Sequence, residues 1–86
     1  VTPPPTAAEV SVVDNFFAPG STRVAAGGTV TWTWNGAVQH NVTFSAGPNS
    51  ATQAAGTFMR TFADAGSFSY LCTVHGAAMS GTVVVE

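Results

Sequence analysis

Thr29-Val30-Thr31-Trp32-Thr33-Trp34 alternates hydroxyl and apolar side chains at every step. A period of two sends successive side chains to opposite faces of an extended chain, so Val30, Trp32 and Trp34 share one face and the three threonines share the other. One face suits a core and the other suits water, and β-branched and aromatic residues pack well on such a pleated, half-buried surface. Shorter strand-like runs lie on both sides: Glu9 to Asp14, Ser21 to Ala25, Asn41 to Phe44, Thr57 to Phe62, Ser67 to Cys72 and Thr82 to Glu86. Turn chemistry separates them at Ala18-Pro19-Gly20, Gly27-Gly28, Asn35-Gly36, Gly47-Pro48-Asn49 and Asp64-Ala65-Gly66. No stretch carries a helical period and no segment repeats. The pattern predicts an all-β chain, an antiparallel Greek-key β-sandwich of about seven to eight strands.

With 86 residues the chain has room for one domain. Its start, Val1 to Ala8, is rich in proline and small residues and reads as an extended leader or tether, with the folded domain expected over residues 9–86. A hydrophobic share of 45% gives so small a domain enough apolar surface to fold without disulfides, and the lone Cys72 has no partner within the chain. Charge is sparse. Arg23 and Arg60 are the sole cations, so a polyphosphate finds almost nothing to grip and nucleic acid is excluded as a partner. A net charge of −2 sets up too weak a field to steer a partner, and any docking surface is expected to be largely uncharged. No apolar run approaches the roughly 18 residues that cross a bilayer, so no membrane insertion is expected.

The chemistry concentrates in Tyr70-Leu71-Cys72-Thr73-Val74-His75-Gly76-Ala77-Ala78-Met79-Ser80-Gly81, where a strand delivers a thiol and the following loop presents an imidazole and a thioether. A second imidazole, His40, opens the Asn41 to Phe44 run. Two histidines, one cysteine and a methionine form the donor set of a type 1, or blue, copper site, in which Met is a weak axial ligand. Cu(I) favours soft sulfur and Cu(II) favours nitrogen, so a fixed compromise between them leaves little to move when one electron is exchanged. Strand parity puts Phe68, Tyr70 and Cys72 on one face, and likewise His40, Val42 and Phe44, so Cys72 and His40 should point inward. His75 should be the more exposed imidazole and the exit point for an electron. Around it Gly36, Ala37, Gly76, Ala77 and Ala78 form a small apolar rim suited to transient docking of redox partner proteins.

Each of these residues taken singly has a plainer explanation. A lone cysteine at the end of an apolar strand is usually a small buried hydrophobe, and a lone histidine is more often structural than a ligand. Met59 illustrates this, since no ligand-type residue lies near it in the sequence and it is assigned to packing or surface. Trp32 and Trp34 are assigned to the core rather than to an electron relay. The joint occurrence of Cys-x-x-His-x-x-x-Met after an alternating strand, with His40-Asn41 upstream, carries the metal assignment.

On these residues the chain resembles the cupredoxins of the plastocyanin, pseudoazurin and amicyanin type, from about Glu9 to Glu86. The family pattern of His-Asn, then Tyr-x-Cys-x-x-His, then Met shortly before Gly-x-Val is matched by His40-Asn41, Tyr70, Cys72, His75, Met79 and Gly81-Thr82-Val83. Phe17-Ala18-Pro19-Gly20 and Gly27-Gly28-Thr29-Val30-Thr31-Trp32 also look like the family's early strands and glycine turn. The resemblance implies one copper ion held by His40, Cys72, His75 and Met79, and a role for Asn41 in fixing the ligand loop by hydrogen bonding. It further implies an extracytoplasmic location: periplasm, cell surface or thylakoid lumen. The spacing from His75 to Met79 is one residue longer than in amicyanin-like loops and one shorter than in plastocyanin-like loops.

The expected function is one-electron transfer by a monomeric blue copper protein, and not enzymatic catalysis. No further histidine cluster is available for a second copper centre, and a Cys-His nucleophile pair needs a substrate cleft that so short a chain barely permits. The alternative is copper binding for delivery, storage or sensing, although a delivery site usually exposes several Met or Cys. A third reading makes the sandwich adhesive or structural, with the metal residues incidental. Zinc suits thiolate and imidazole as well, and its presence in a sample would not report function.

Overall fold

The alternation at residues 29–34 becomes the strand at the centre of the molecule. In the computed structural model, which describes residues 3–86, the chain forms β1 (Ala7–Val13), β2 (Phe16–Ala18), β3 (Ser21–Val24), β4 (Gly28–Trp34), β5 (Thr43–Phe44), β6 (Thr57–Phe62), β7 (Gly66–Cys72) and β8 (Gly76–Val85). Along β4, Val30, Trp32 and Trp34 are buried while the three threonines between them are half-buried. The hydroxyl of Thr29 meets that of Thr61 on β6 at 2.8 Å, a cross-strand pair on the wetter face.

Two four-stranded sheets, ordered β2-β1-β4-β6 and β3-β8-β7-β5, pack as the expected sandwich. The pairing is mixed where a wholly antiparallel one was anticipated, because β1 runs parallel to β4 and β3 parallel to β8. Parallel neighbours need crossover connections, and both arise here because the chain changes sheets between them: β3 leaves the sheet of β1 before β4 returns to it. Strand pairing begins at Ala7, opposite Thr29, two residues ahead of the expected start of the domain at Glu9. Just before it, the carbonyls of Pro5 and Thr6 accept from the amides of Ala25 and Thr29. The first two residues of the expected leader, Val1 and Thr2, lie outside the described residues. Among the described residues no helix is long and apolar enough to cross a membrane.

Trp32 joins the sheets. Its ring meets Phe44 and Tyr70 of the opposite sheet edge-on, at centroid distances of 5.9 and 5.4 Å, and Tyr70 in turn meets Phe17 at 4.8 Å. Edge-to-face pairs of this kind add about 0.5–1.5 kcal/mol beyond area burial. Val10, Val12, Val24, Val30, Val42 and Val83 fill the layer between them, each worth roughly 1.5–3 kcal/mol when removed from water. Cys72 and Met79 belong to the same buried cluster. Two of the candidate metal ligands therefore sit in the core itself, whereas Met59 is well exposed on β6.

Candidate metal centre

His40 lies beyond the end of β4 and ahead of β5, in a position that the surrounding backbone fixes closely. Its amide and carbonyl exchange hydrogen bonds of 3.0 Å with Gln53, and the carbonyl also accepts from the indole Nε1 of Trp34 at 3.0 Å. The ring is completely buried. Cys72 ends β7 at an irregularity in its pairing with β8, where Leu71 faces Ser80 and Cys72 faces Gly76. The turn between them carries His75. Gly76 has φ 71, a left-handed conformation that costs glycine little and lets β8 begin immediately after His75. Met79 was expected on a loop with His75; instead it lies on β8, one residue before Ser80, and is buried.

The imidazole Nδ1 atoms of His40 and His75 stand 3.8 and 3.7 Å from the Cys72 sulfur, and the three candidate donor atoms lie within 4.8 Å of one another. The spacing tests the fit to a metal. Bonds of about 2.3 Å to sulfur and about 2.0–2.1 Å to imidazole nitrogen, as zinc makes, place sulfur and nitrogen about 3.8 Å apart when opened to about 120°. One first-row ion therefore fits among these three atoms. His40 and Cys72 are buried and His75 is exposed, as strand parity predicts.

Electrostatics favour a thiolate. Burial pushes the Cys72 thiol up, but hydrogen bonds outweigh it: the Asn41 amide, the imidazoles of His75 and His40, and the His75 amide together bring it from 9.0 down to about 6. The thiolate is the metal-binding form.

Asn41 ties the two halves of the site together. Its side-chain amide donates to the hydroxyls of Thr73 and Thr52 at 2.7 and 2.9 Å, and its carbonyl oxygen accepts from the Thr73 amide at 3.0 Å and the Thr43 hydroxyl at 2.8 Å. Thr73 lies between Cys72 and His75, so one buried side chain fixes the ligand turn to the strand that follows His40. The sequence pattern pointed to Asn41, but four other residues that shape the site escaped it: Trp34 and Gln53 on the His40 backbone, Thr73 on the ligand turn, and Asp14. The carboxylate of Asp14 meets His40 Nε2 at 3.0 Å and also accepts from the amides of Ala37 and Val38. The His40 hydrogen bond, then the two amides, hold its carboxyl below the usual carboxylate range. An Asp-Asn pair between two apolar runs is a turn signal, yet nothing local relates it to a histidine so far along the chain.

A small mixed β-sandwich with a soft, three-donor centre at one end is the framework of a mononuclear metalloprotein. Residues 6–86 match the copper binding proteins of the plastocyanin/azurin family, and the chain belongs to that family. It is 36% identical to amicyanin-alpha of Methylorubrum extorquens over 85 residues, covering 91% of this chain and 71% of that one. It is 32% identical to plastocyanin of Scenedesmus fuscus, covering 81% and 86%. A solved structure of an oxidised amicyanin variant superposes with a TM-score of 0.83 at 34% identity, covering 93% of this chain and 82% of that one. The chain is a cupredoxin, an electron carrier with a type 1 copper site, and not an enzyme.

Proposed function

We propose that His40, Cys72, His75 and Met79 together hold one copper ion, that Asn41 orients their loop, and that electrons pass at the exposed edge of His75. The observation that supports this best is the convergence of two imidazole nitrogens on one sulfur at 3.7 and 3.8 Å, with only His75 of the three exposed. Met79 is in the same buried cluster as Cys72 and supplies the fourth donor. Copper, when bound, supplies the one-electron couple.

The protein's own contribution is rigidity. Donors anchored by β4, β7, β8 and the Asn41 network change position little between the two oxidation states, and the buried side of the site keeps water out. Partners dock on the rim around His75. The exposure of Ala37, Ala77 and Ala78, and of Val38 and Val74 next to Ala37 and His75 in the chain, supports an apolar rim there. A patch so poor in charge suits brief encounters in which apolar contact replaces electrostatic steering. An extracytoplasmic setting fits this chemistry.

Titration of the metal-free protein with Cu(II), followed by ascorbate, tests the reading. The expected result is an intense thiolate-to-copper absorption that bleaches on reduction and returns on oxidation, and that Cys72→Ser abolishes. A weak absorption, or one that Cys72→Ser leaves unchanged, removes the electron-transfer assignment in favour of delivery, storage or a structural role.

A further inference from the structure

We propose that Asp14 is the outer carboxylate of the metal centre: it holds the His40 ring with Nε2 protonated and Nδ1 open to the metal, and its charge biases the site toward the oxidised ion. The inference rests on reading His40 as a ligand. It starts from the two faces of that ring. Nδ1 looks at the Cys72 sulfur at 3.8 Å, while Nε2 looks at Asp14 Oδ1 at 3.0 Å. A carboxylate can only accept, so this contact requires hydrogen on Nε2; Nδ1, which faces the Cys72 sulfur in the metal-free site, is then the nitrogen that turns its lone pair to a metal. Acidic partners on the far nitrogen of a metal-binding histidine generally fix ring orientation and raise its basicity.

Three further observations make the contact a built one. The same carboxylate accepts from the Ala37 amide at 3.0 and 3.1 Å and from the Val38 amide at 3.2 Å, so the approach to His40 from β4 is strung on it. Asp14 belongs to the turn between β1 and β2, where the next residue, Asn15, adopts φ 75. It is therefore positioned by a sheet that carries none of the four candidate ligands. Finally, a Cβ on Gly36 would fall 2.2 Å from Asp14 Oδ1 and 2.9 Å from its amide nitrogen. Only glycine leaves the carboxylate its place, so the Asn35-Gly36 turn serves Asp14 as well as the chain reversal.

The charge has a predictable sign. A fixed negative group beside a ligand attracts Cu(II) more than Cu(I) and so lowers the reduction potential. The Asp14 side chain is 41% exposed, which screens the effect without removing it.

Asp14→Asn keeps size and an acceptor oxygen but removes the charge. Its expected signature is an intact thiolate-to-copper band with the Cu(II)-to-Cu(I) affinity ratio lowered about tenfold, a rise of about 59 mV for one electron. Asp14→Ala also removes the acceptor, and Zn(II) affinity, which involves no redox change, should fall roughly 10–100-fold. Nitrogen NMR of the metal-free unmutated protein should show His40 with hydrogen on Nε2. An Nε2 without hydrogen, or a potential in Asp14→Asn that moves by less than about a twofold ratio, overturns the assignment. Should Asp14→Ala fail to fold, the Asn variant and the tautomer still decide the matter. A missing copper band in the unmutated protein would sink the electron-transfer reading, while the tautomer and Zn(II) affinity would continue to judge Asp14.

Discussion

The two imidazoles of the centre present the same nitrogen to the same sulfur at nearly the same distance, yet their surroundings are opposite. His40 is completely buried, its backbone is clamped by Gln53 and Trp34, and its far nitrogen meets Asp14. His75 is exposed on a turn opened by Gly76, between exposed Val74 and Ala77. The contrast divides the work of the site. On the function proposed above, the His40 side fixes donor geometry and the His75 side couples the centre to whatever docks.

Removing each ring separates the two sides most severely. His75→Gly opens a gap at the surface, and free imidazole should enter it and restore most of the thiolate-to-copper band. His40→Gly opens a gap that the sandwich covers, and imidazole should restore little. Visible spectra of the two Cu(II)-loaded variants with added imidazole provide the check, and equal recovery would mean that the two sides are not distinct in the way their burial suggests. Loss of band before rescue is expected to be nearly complete in both.

Legibility from sequence follows the same division. The His75 side is local: Cys72, His75 and Met79 fall within one short stretch, so spacing and donor type alone single them out as candidates. The period of two at residues 29–34 was equally local and gave the central strand and its buried face. What sequence could not show depends on contacts between distant segments. β2 is the dipeptide Phe16-Phe17 with Ala18, too short to alternate, and it is a strand only because it pairs with Ser11 to Val13. The two parallel ladders depend on which sheet the chain enters, which no local period encodes. β8 reaches back to Gly76 because β7 is there to pair with, although Gly-Ala-Ala has little strand tendency of its own. Asp14 joins the site only after β1, β2 and β4 have assembled.

Asn41→Ala tests how the two sides are held together. It leaves the Thr73 amide and three threonine hydroxyls without their partner, and groups stranded in this way cost about 1–3 kcal/mol where they are shut off from water. A fall of that size in denaturant stability should accompany a loosened ligand turn, seen as faster copper release. Loss of stability without faster release would make Asn41 a packing residue and nothing more.

The pH dependence of the metal-free protein sharpens the electrostatic part. The Cys72 thiol is lowered to about 6 in the folded chain against 9.0 for an ordinary thiol. A group depressed by folding contributes stability that is fully present above the unfolded value and is lost as pH falls through the folded one. Denaturant midpoints should therefore decline between about pH 9 and pH 6, and Cys72→Ser should flatten this part of the profile. The thiolate absorbance should titrate near pH 6 in the folded protein. Titration near the ordinary value would mean that the imidazoles and the Asn41 amide do not offset burial.

The smallest effect is expected at the docking rim. Val74→Ser changes one exposed side chain beside His75 and touches none of the groups that define the centre, so band position and stability should stay within error. What it alters is the apolar area offered to a partner. An exposed valine that becomes covered on docking contributes at most roughly 1.5 kcal/mol, and one on each of the two copies caps the change in electron self-exchange at about a hundredfold. Self-exchange is the suitable readout because it needs no identified partner: two copies must bring their His75 edges together, and the patch is the same on both. A slower rate at unchanged potential places electron passage on the His75 face. An unchanged rate would move it elsewhere and leave the exposure of His75 without a role in transfer.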